Sequence, residues 1–463
     1  MKQFDFYFPD NKDFVDPEFN GITNTRTKHY RQYDDGAYPH EILNKKAYDG
    51  MLVSLAAVGT MQRKGKYYEQ ELTEDFYFGG AREFLRLNKP EHQDIKLMGD
   101  CGAFDYVGEF EPPFSIDELI EFYERGKFDY GISLDHIVFP YAKDDEALAK
   151  LPHPDIAESE RRITITLDNA KEFYERSQTC SFEAYGVAHG YSVKSFVRSV
   201  KELEGMGYRR ITIGGMIKSK TPDLLALLEV LSREKHPDTQ FHLLGICRFE
   251  NIDSYIKYGV TSADSTSPLM QGIKGGKYYE LNHMTSKVEE SLSARIRQCD
   301  HTNVQNLIES SRPLMKAVIV QMSADNEFDI DLSNTALSMN ECVKRLEVDC
   351  IEKLIAYESG SVDFEHAFKA FCAYEKITNP KYLNPLISQV EKNKLAKEME
   401  HYKTFLKDKL WVHCSCGICD KGIMNIIFRS NQTNRRRGIH NLSVITEFKT
   451  IMLKQVNDNE GCN

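Results

Sequence analysis

From about residue 50 to residue 270 the chain alternates short apolar runs with amphipathic stretches of helical period, and few folds accept that rhythm. The runs Met51–Val58, Ile95–Met98, Gly131–Leu134, Phe182–Val187, Arg210–Ile213, Phe241–Leu244 and Val260–Ala263 read as strands. Between them, Ser192–Met206 sets Val193, Phe196, Val197, Val200, Leu203 and Met206 along one helical face, and Pro222–Leu231 opens with proline at a first-turn position. Buried strands separated by helices pair in parallel through right-handed crossovers. A (β/α)8 TIM-type barrel and an open doubly wound sheet both satisfy this pattern. The barrel is favoured because Asp100, Asp135, His189, Gly214-Gly215 and Asp264 recur just after strands, and in a barrel those strand ends share one mouth.

The flanks read differently. Residues 1–45, rich in Tyr, Asp and Asn, are expected as an irregular N-terminal arm, and 46–284 as the barrel strands with the active site. Residues 285–405 are charged, helical in pattern and poor in strand signals, which predicts a helical insertion. Residues 406–463, which carry Cys414, Cys416, Cys419 and His440 at metal-ligand spacing, are expected to form a zinc-binding segment that closes the barrel. No apolar run is long enough to cross a bilayer, and MKQFDFYFPD lacks a signal-peptide pattern. Eleven cysteines without a disulfide-like pairing pattern fit a reducing compartment, so a cytoplasmic location is expected.

Three of those cysteines stand at metal-ligand spacing, Cys414-x-Cys416-x-x-Cys419, with His440 following a basic stretch. Three thiolates and an imidazole suit tetrahedral zinc and leave no open coordination position, which makes the metal structural. His413 is a rival ligand; His440 is preferred because it ties a loop back onto the cysteine turn. Unliganded reduced thiols are the alternative. The net charge of −11 excludes a uniformly basic nucleic-acid surface but not a local one. Arg435, Arg436, Arg437 and Lys274 are the candidate phosphate contacts, set against a solvated basic turn.

Asp100 lies in Met-Gly-Asp-Cys-Gly-Ala-Phe, Asp135 in Ser-Leu-Asp-His-Ile-Val-Phe-Pro and Asp264 in Thr-Ser-Ala-Asp-Ser-Thr-Ser-Pro. Singly, such aspartates are commonly caps or turn residues. Together at a barrel mouth, two carboxylates can divide nucleophile and acid/base work, as glycosyl-bond chemistry requires. Phe104 could stack on a planar ring, and Gly214-Gly215 could offer backbone N–H groups to a ring carbonyl.

The order Asp-x-Gly-x-Phe, Asp-x-x-x-x-Pro, Gly-Val-x-x-Gly, Ile-Gly-Gly, Gly-x-x-x-x-Asp-x-x-x-Pro and C-x-C-x-x-C…H resembles the guanine transglycosylases, over about residues 50–280 and 410–450. The resemblance implies that Asp264 is the nucleophile that forms a covalent glycosyl intermediate and Asp100 the general acid/base. It likewise implies that Phe104 stacks on the base, Asp135 reads its edge, and Gly214, Gly215 and Met216 contact its carbonyl and 7-substituent. His189 stands where the family usually has glutamine, a position that implies a further contact with the base. After the nucleophile, Pro268-Leu269-Met270-Gln271-Gly272 lacks the arginines with which the tRNA enzymes read flanking uridines, and Lys220 stands near their acidic residue. Those departures look like the DNA-directed branch, which inserts a 7-deazaguanine such as preQ0 within DNA-modification systems. That branch implies DNA as partner, possible helper proteins and a possible homodimer, with no membrane. A tRNA-guanine transglycosylase and a non-catalytic zinc-containing binding subunit are the alternatives.

Overall fold

The computed structural model describes residues 3–332 and 336–460. Eight parallel strands close into a barrel in sequence order: β1 (Asp5–Pro9), β2 (Gly50–Ser54), β3 (Lys96–Asp100), β4 (Tyr130–Ile132), β5 (Glu183–Ala188), β6 (Arg210–Ile213), β7 (Gln240–Leu243) and β8 (Val260–Asp264). Closure is made by β8 on β1, with Asp5 beside Ser262 and Tyr7 beside Asp264. Seven strands therefore fall where the apolar runs predict them, within a few residues at their ends. The eighth corrects the expectation for residues 1–45: Phe4, Phe6, Tyr7 and Phe8 are buried, and this aromatic run is a barrel strand. A single run of five residues with no helix before it carries no rhythm from which to recognise a strand.

A second correction concerns the C-terminal segment. Since all eight strands lie between Asp5 and Asp264, the described part of residues 406–463 contributes no strand to the closure of the barrel. By compactness the chain forms two units. One comprises Met1–Asp13, Lys46–Ser267 and Ile445–Asn463; the other comprises Phe14–Lys45 and Pro268–Val444.

In the barrel unit, inward side chains fill the interior: Tyr7, Leu52, Met98, Ile132, Tyr185 and Val187 form one buried cluster. Filling of this kind makes the interior a packed core and leaves the C-terminal strand ends as the place for a ligand. The crossover helices start where local chemistry satisfies their free N–H groups. The Ser115 and Ser192 side chains cap Ile116–Gly126 and Val193–Met206, each within a capping box. Pro222 sits in the first turn of Thr221–Glu234, where it has no hydrogen bond to lose. Phe196, Val200 and Leu203 are fully buried, as the helical period of that stretch predicts.

In the other unit an antiparallel hairpin, β9 (Lys277–Asn282) and β10 (Lys287–Leu292), precedes the helices Thr302–Ala324, Met339–Glu358, Phe364–Thr378 and Gln389–Asp408. The helical character expected for 285–405 holds from residue 302 onward. The hairpin was not expected; β10 reads KVEESL and is largely exposed, so it carries no apolar run to betray it. The basic stretch after the cysteines is not a loop either. Asn431–Glu460 is a continuous helix.

Candidate active site and metal centre

At the C-terminal ends of β1, β2, β3 and β8 a cavity of about 310 Å³ opens, lined by Asp10, Asp100, Phe104, Asp135, Gly245 and Asp264 among others. The three aspartates singled out in the sequence thus face one space. They get there by two routes. Asp100 and Asp264 are the last residues of β3 and β8, whereas Asp135 lies three residues beyond β4.

Asp264 is buried and its Oδ1 is fixed twice. The Gly245 N–H donates to it at 2.7 Å, and His242 Nε2 lies 3.1 Å away. His242 Nδ1 in turn is 2.9 Å from Ser262 Oγ. A carboxylate only accepts, so the ring proton sits on Nε2 and Nδ1 accepts from the serine hydroxyl. The pairing that aims this ring is irregular. Phe241 pairs with Val260 but His242 pairs with Ser262, so β8 carries one extra residue there. Such a bulge re-aims side chains next to functional sites. Neither His242 nor Ser262 was singled out in the sequence, because alternation in β7 and β8 marks them only as inward-facing.

Asp100 is held differently. Burial pushes its carboxyl up to about 7, and the neighbouring charges of Asp264 and Asp135 add to this. Hydrogen bonds from Ser54, its neighbour on β2, and from the Gly102 backbone act in the opposite direction. Its Oδ1 is buried without a hydrogen-bond partner among the described residues. A carboxyl poised near neutrality with a vacant acceptor is suited to give and take a proton. Asp10, immediately after β1, is a fourth carboxylate on the cavity. Burial lifts it to about 6, opposed by a hydrogen bond from Tyr68 and by Lys12. It was missed because its segment was read as an arm.

Asp135 is tied on both oxygens. The Cys101 thiol donates to Oδ1 at 3.0 Å, and His189 Nε2 lies 2.7 Å from Oδ2. Tyr106 secures the same residue through its carbonyl, at 2.9 Å. Phe104 is 52% exposed and leans on Phe139, with ring centroids 5.8 Å apart, leaving a face open over the cavity. Several expected contacts do not line this space. His189 is buried as the partner of Asp135 through Nε2, and its Nδ1 is buried without a hydrogen-bond partner among the described residues. Gly214 makes room for that ring: a Cβ there would stand 2.4 Å from His189 Cε1. Gly215 has φ +79° and a Cβ would meet the Val138 carbonyl oxygen at 2.3 Å, so it is a tight βα turn. Met216 is buried, and the next residue, Ile217, reaches the cavity instead.

In the other unit Cys414, Cys416, Cys419 and His440 converge, with their ligand atoms within 4.8 Å of one another. His440 Nδ1 lies 3.5, 3.5 and 3.3 Å from the three sulfurs. Tetrahedral zinc, with Zn–S of about 2.3 Å and Zn–N of about 2.0–2.1 Å, sets S···N at about 3.6 Å, so the four groups fit that ion. His440 Nε2 donates to the Tyr279 carbonyl at 2.8 Å, which leaves the Nδ1 lone pair for a metal. The ring also stacks on Tyr278, centroids 4.1 Å apart. His413 is outside the cluster. Gly417 turns the cysteine loop at φ +88°, against the Ile42 carbonyl.

The arginine run is corrected by the same helix. Arg436 and Arg437 are both 0% exposed. The Arg437 guanidinium donates to the Gly272 carbonyl at 2.6 and 3.2 Å and to the Ile426 carbonyl at 2.7 Å. Arg436 is held by the Asp16 and Pro17 carbonyls and the Asn425 side chain. Neither can meet a phosphate. In a helix three consecutive residues point in different directions, and here two of them point inward. Arg435 is half-buried and Lys274 exposed.

A closed parallel barrel whose mouth gathers carboxylates of unlike environment defines a (β/α)8 protein built for carboxylate chemistry. No family model matches the chain. It is 36% identical over 446 residues to a DNA-guanine transglycosylase of Salmonella montevideo, an alignment that covers 96% of each. The chain belongs to the DNA-guanine transglycosylase family: its ordered motifs pointed to the guanine transglycosylases, and its departures after the nucleophile to this branch.

Proposed function

We propose that this protein replaces guanine in DNA by a 7-deazaguanine base, of the preQ0 type, through a covalent aspartyl–glycosyl intermediate. One observation carries the reading: Asp264 and Asp100 face the same cavity in opposite states, one carboxylate fixed by two donors, the other held near neutrality with a vacant oxygen. Since Asp264 Oδ1 is occupied, Oδ2 is the attacking atom. It bonds to C1′ as the bond from C1′ to the guanine nitrogen breaks, and Asp100 supplies the proton that the departing base needs. In the return step Asp100 takes the N–H proton of the incoming base, whose nitrogen attacks C1′ and expels the aspartate. Proton and electron pair are both restored, so no redox cofactor is consumed.

Phe104 offers its open face for stacking, and Asp135 reads the base's N–H groups with the lone pairs left beyond its two internal bonds. The target nucleotide leaves its stack to enter the cavity. Cys414, Cys416, Cys419 and His440 would hold zinc, which supplies folding free energy to the second unit and takes no part in bond breaking. The test is trapping: the protein is incubated separately with DNA and with tRNA, and a denaturation-resistant adduct is sought. An adduct with DNA that vanishes in Asp264→Ala is expected. Adduct on tRNA alone would overturn the substrate, and no adduct on either would overturn the reaction.

A further inference from the structure

The barrel mouth is not the largest cavity. In the second unit a cleft of about 770 Å³ lies among the hairpin's exit, the N-terminal turns of Thr302–Ala324 and the segment around Phe428. That volume is typical of a ligand site, and nothing in the exchange chemistry uses it.

Its lining has charge left uncommitted. Arg297 is paired with Glu375, and Arg429 with Glu347 at 2.7 Å. Arg295 is not paired: among the described residues its guanidinium has no hydrogen-bond or ion-pair partner and only rests over the Phe428 ring, 4.7 Å from its centroid. Partial burial disfavours its charge, and the like charge of Arg297 on the same wall adds to this. Lys381 on the same wall makes no ion pair among the described residues and has only a through-space interaction with Glu391, and Glu398 is the carboxylate among the cleft's lining residues. Arg429 Nε is buried without a partner, although the side chain is only 4% exposed. The 23-residue helix Thr302–Ala324 begins here, adding the positive end of its dipole, and the amide side chains of Asn303 and Asn306 are uncommitted.

A cation kept beside another cation, a buried guanidinium N–H without an acceptor and a long helix's N-terminus are all repaid by an anion. A guanidinium already stacked on an aromatic ring also presents a flat outer face to a base. We propose that this cleft binds a phosphodiester segment of a single DNA strand, with Arg295 and Lys381 on phosphates and the free amides on an adjacent base. The proposal rests on DNA being the substrate. It gives the helical insertion a task and replaces Arg436 and Arg437, which are buried, as the source of backbone contacts.

The experiment is equilibrium binding of a fluorescent single-stranded oligonucleotide over a salt series, with the full chain and with Arg295→Gln, Lys381→Gln and the double variant. Both side chains are at the surface of the cleft, and circular dichroism verifies folding. Each lost phosphate contact should lower the magnitude of the log K against log salt slope by about 0.7, hence about 1.4 in the double variant. Asp264-dependent adduct formation is followed in parallel at saturating DNA. Wild-type binding with unchanged affinity and slope in the double variant would overturn the cleft assignment alone. Absence of DNA binding and adduct in the wild type would overturn the substrate reading and the cleft with it.

Discussion

Replacing His242 by phenylalanine tests whether the ring beneath Asp264 sets the aim of the nucleophile. The substitution keeps an aromatic of similar volume in a site walled by Tyr7 and Tyr185, whose ring centroids lie 5.9 and 6.3 Å from that of His242. What it removes is the 3.1 Å contact to Asp264 Oδ1 and the acceptor for Ser262 Oγ. Hydrogen bonds to charged groups contribute about 1.5–3 kcal/mol. Gly245 still donates at 2.7 Å, so the carboxylate stays in place but gains a rotation about its remaining tether. If the whole of the lost contact is realised in the attack, the rate falls by roughly 10- to 150-fold, at about 1.4 kcal/mol per factor of ten. The assay is single-turnover adduct formation on an oligonucleotide at saturating DNA, which isolates attack from binding. His242→Gln, whose amide N–H can reach the same oxygen, should recover much of the loss. Thermal melting separates aim from folding, since both variants are compared at temperatures where each is fully folded. A phenylalanine variant as fast as the wild type, or a glutamine variant no faster than phenylalanine, would refute the positioning role.

Two other outcomes are expected. Asp100 has a folded-state pKa of about 7, above the ordinary 3.8, so its contribution favours the folded state at low pH and is lost as pH rises through 7. Asp100→Asn should therefore stabilise the protein more at pH 8 than at pH 5 while abolishing exchange, and melting curves at the two pH values with equal increments would contradict it. Cys416→Ala should lose one equivalent of bound zinc by elemental analysis and melt at a lower temperature; wild-type protein purified without zinc and melting unchanged after chelation would remove the structural-metal reading.

What could be read in advance follows from what each device needs. The seven strands between helices announce themselves because burial on both faces demands continuous apolar runs, and the three aspartates are conspicuous because they interrupt such runs at their ends. The cysteine motif is legible because coordination fixes spacing. β1 escaped because no helix precedes it, and Asp10 escaped with it. His242 was hidden by its register: only the slip between β7 and β8 reveals that it faces Asp264. Arg436 and Arg437 misled because charge in a sequence gives no direction, and most of their partners are backbone carbonyls, which any residue supplies. The pairing of His189 was equally illegible, since its hydrogen-bond partner, Asp135, is 54 residues away in the chain.

Four aspartates, Asp10, Asp100, Asp135 and Asp264, share one small cavity, and this crowding acts as a filter on what enters. A free nucleotide would have to bring its phosphate close to these carboxyl groups, and at neutral pH it is repelled. An uncharged heterocycle rich in N–H donors is attracted by the same field. A loose base carries no phosphate to be repelled, so under the proposed exchange the acidity of the mouth favours the uncharged incoming base over nucleoside phosphates that share its ring, without a single residue assigned to exclude them.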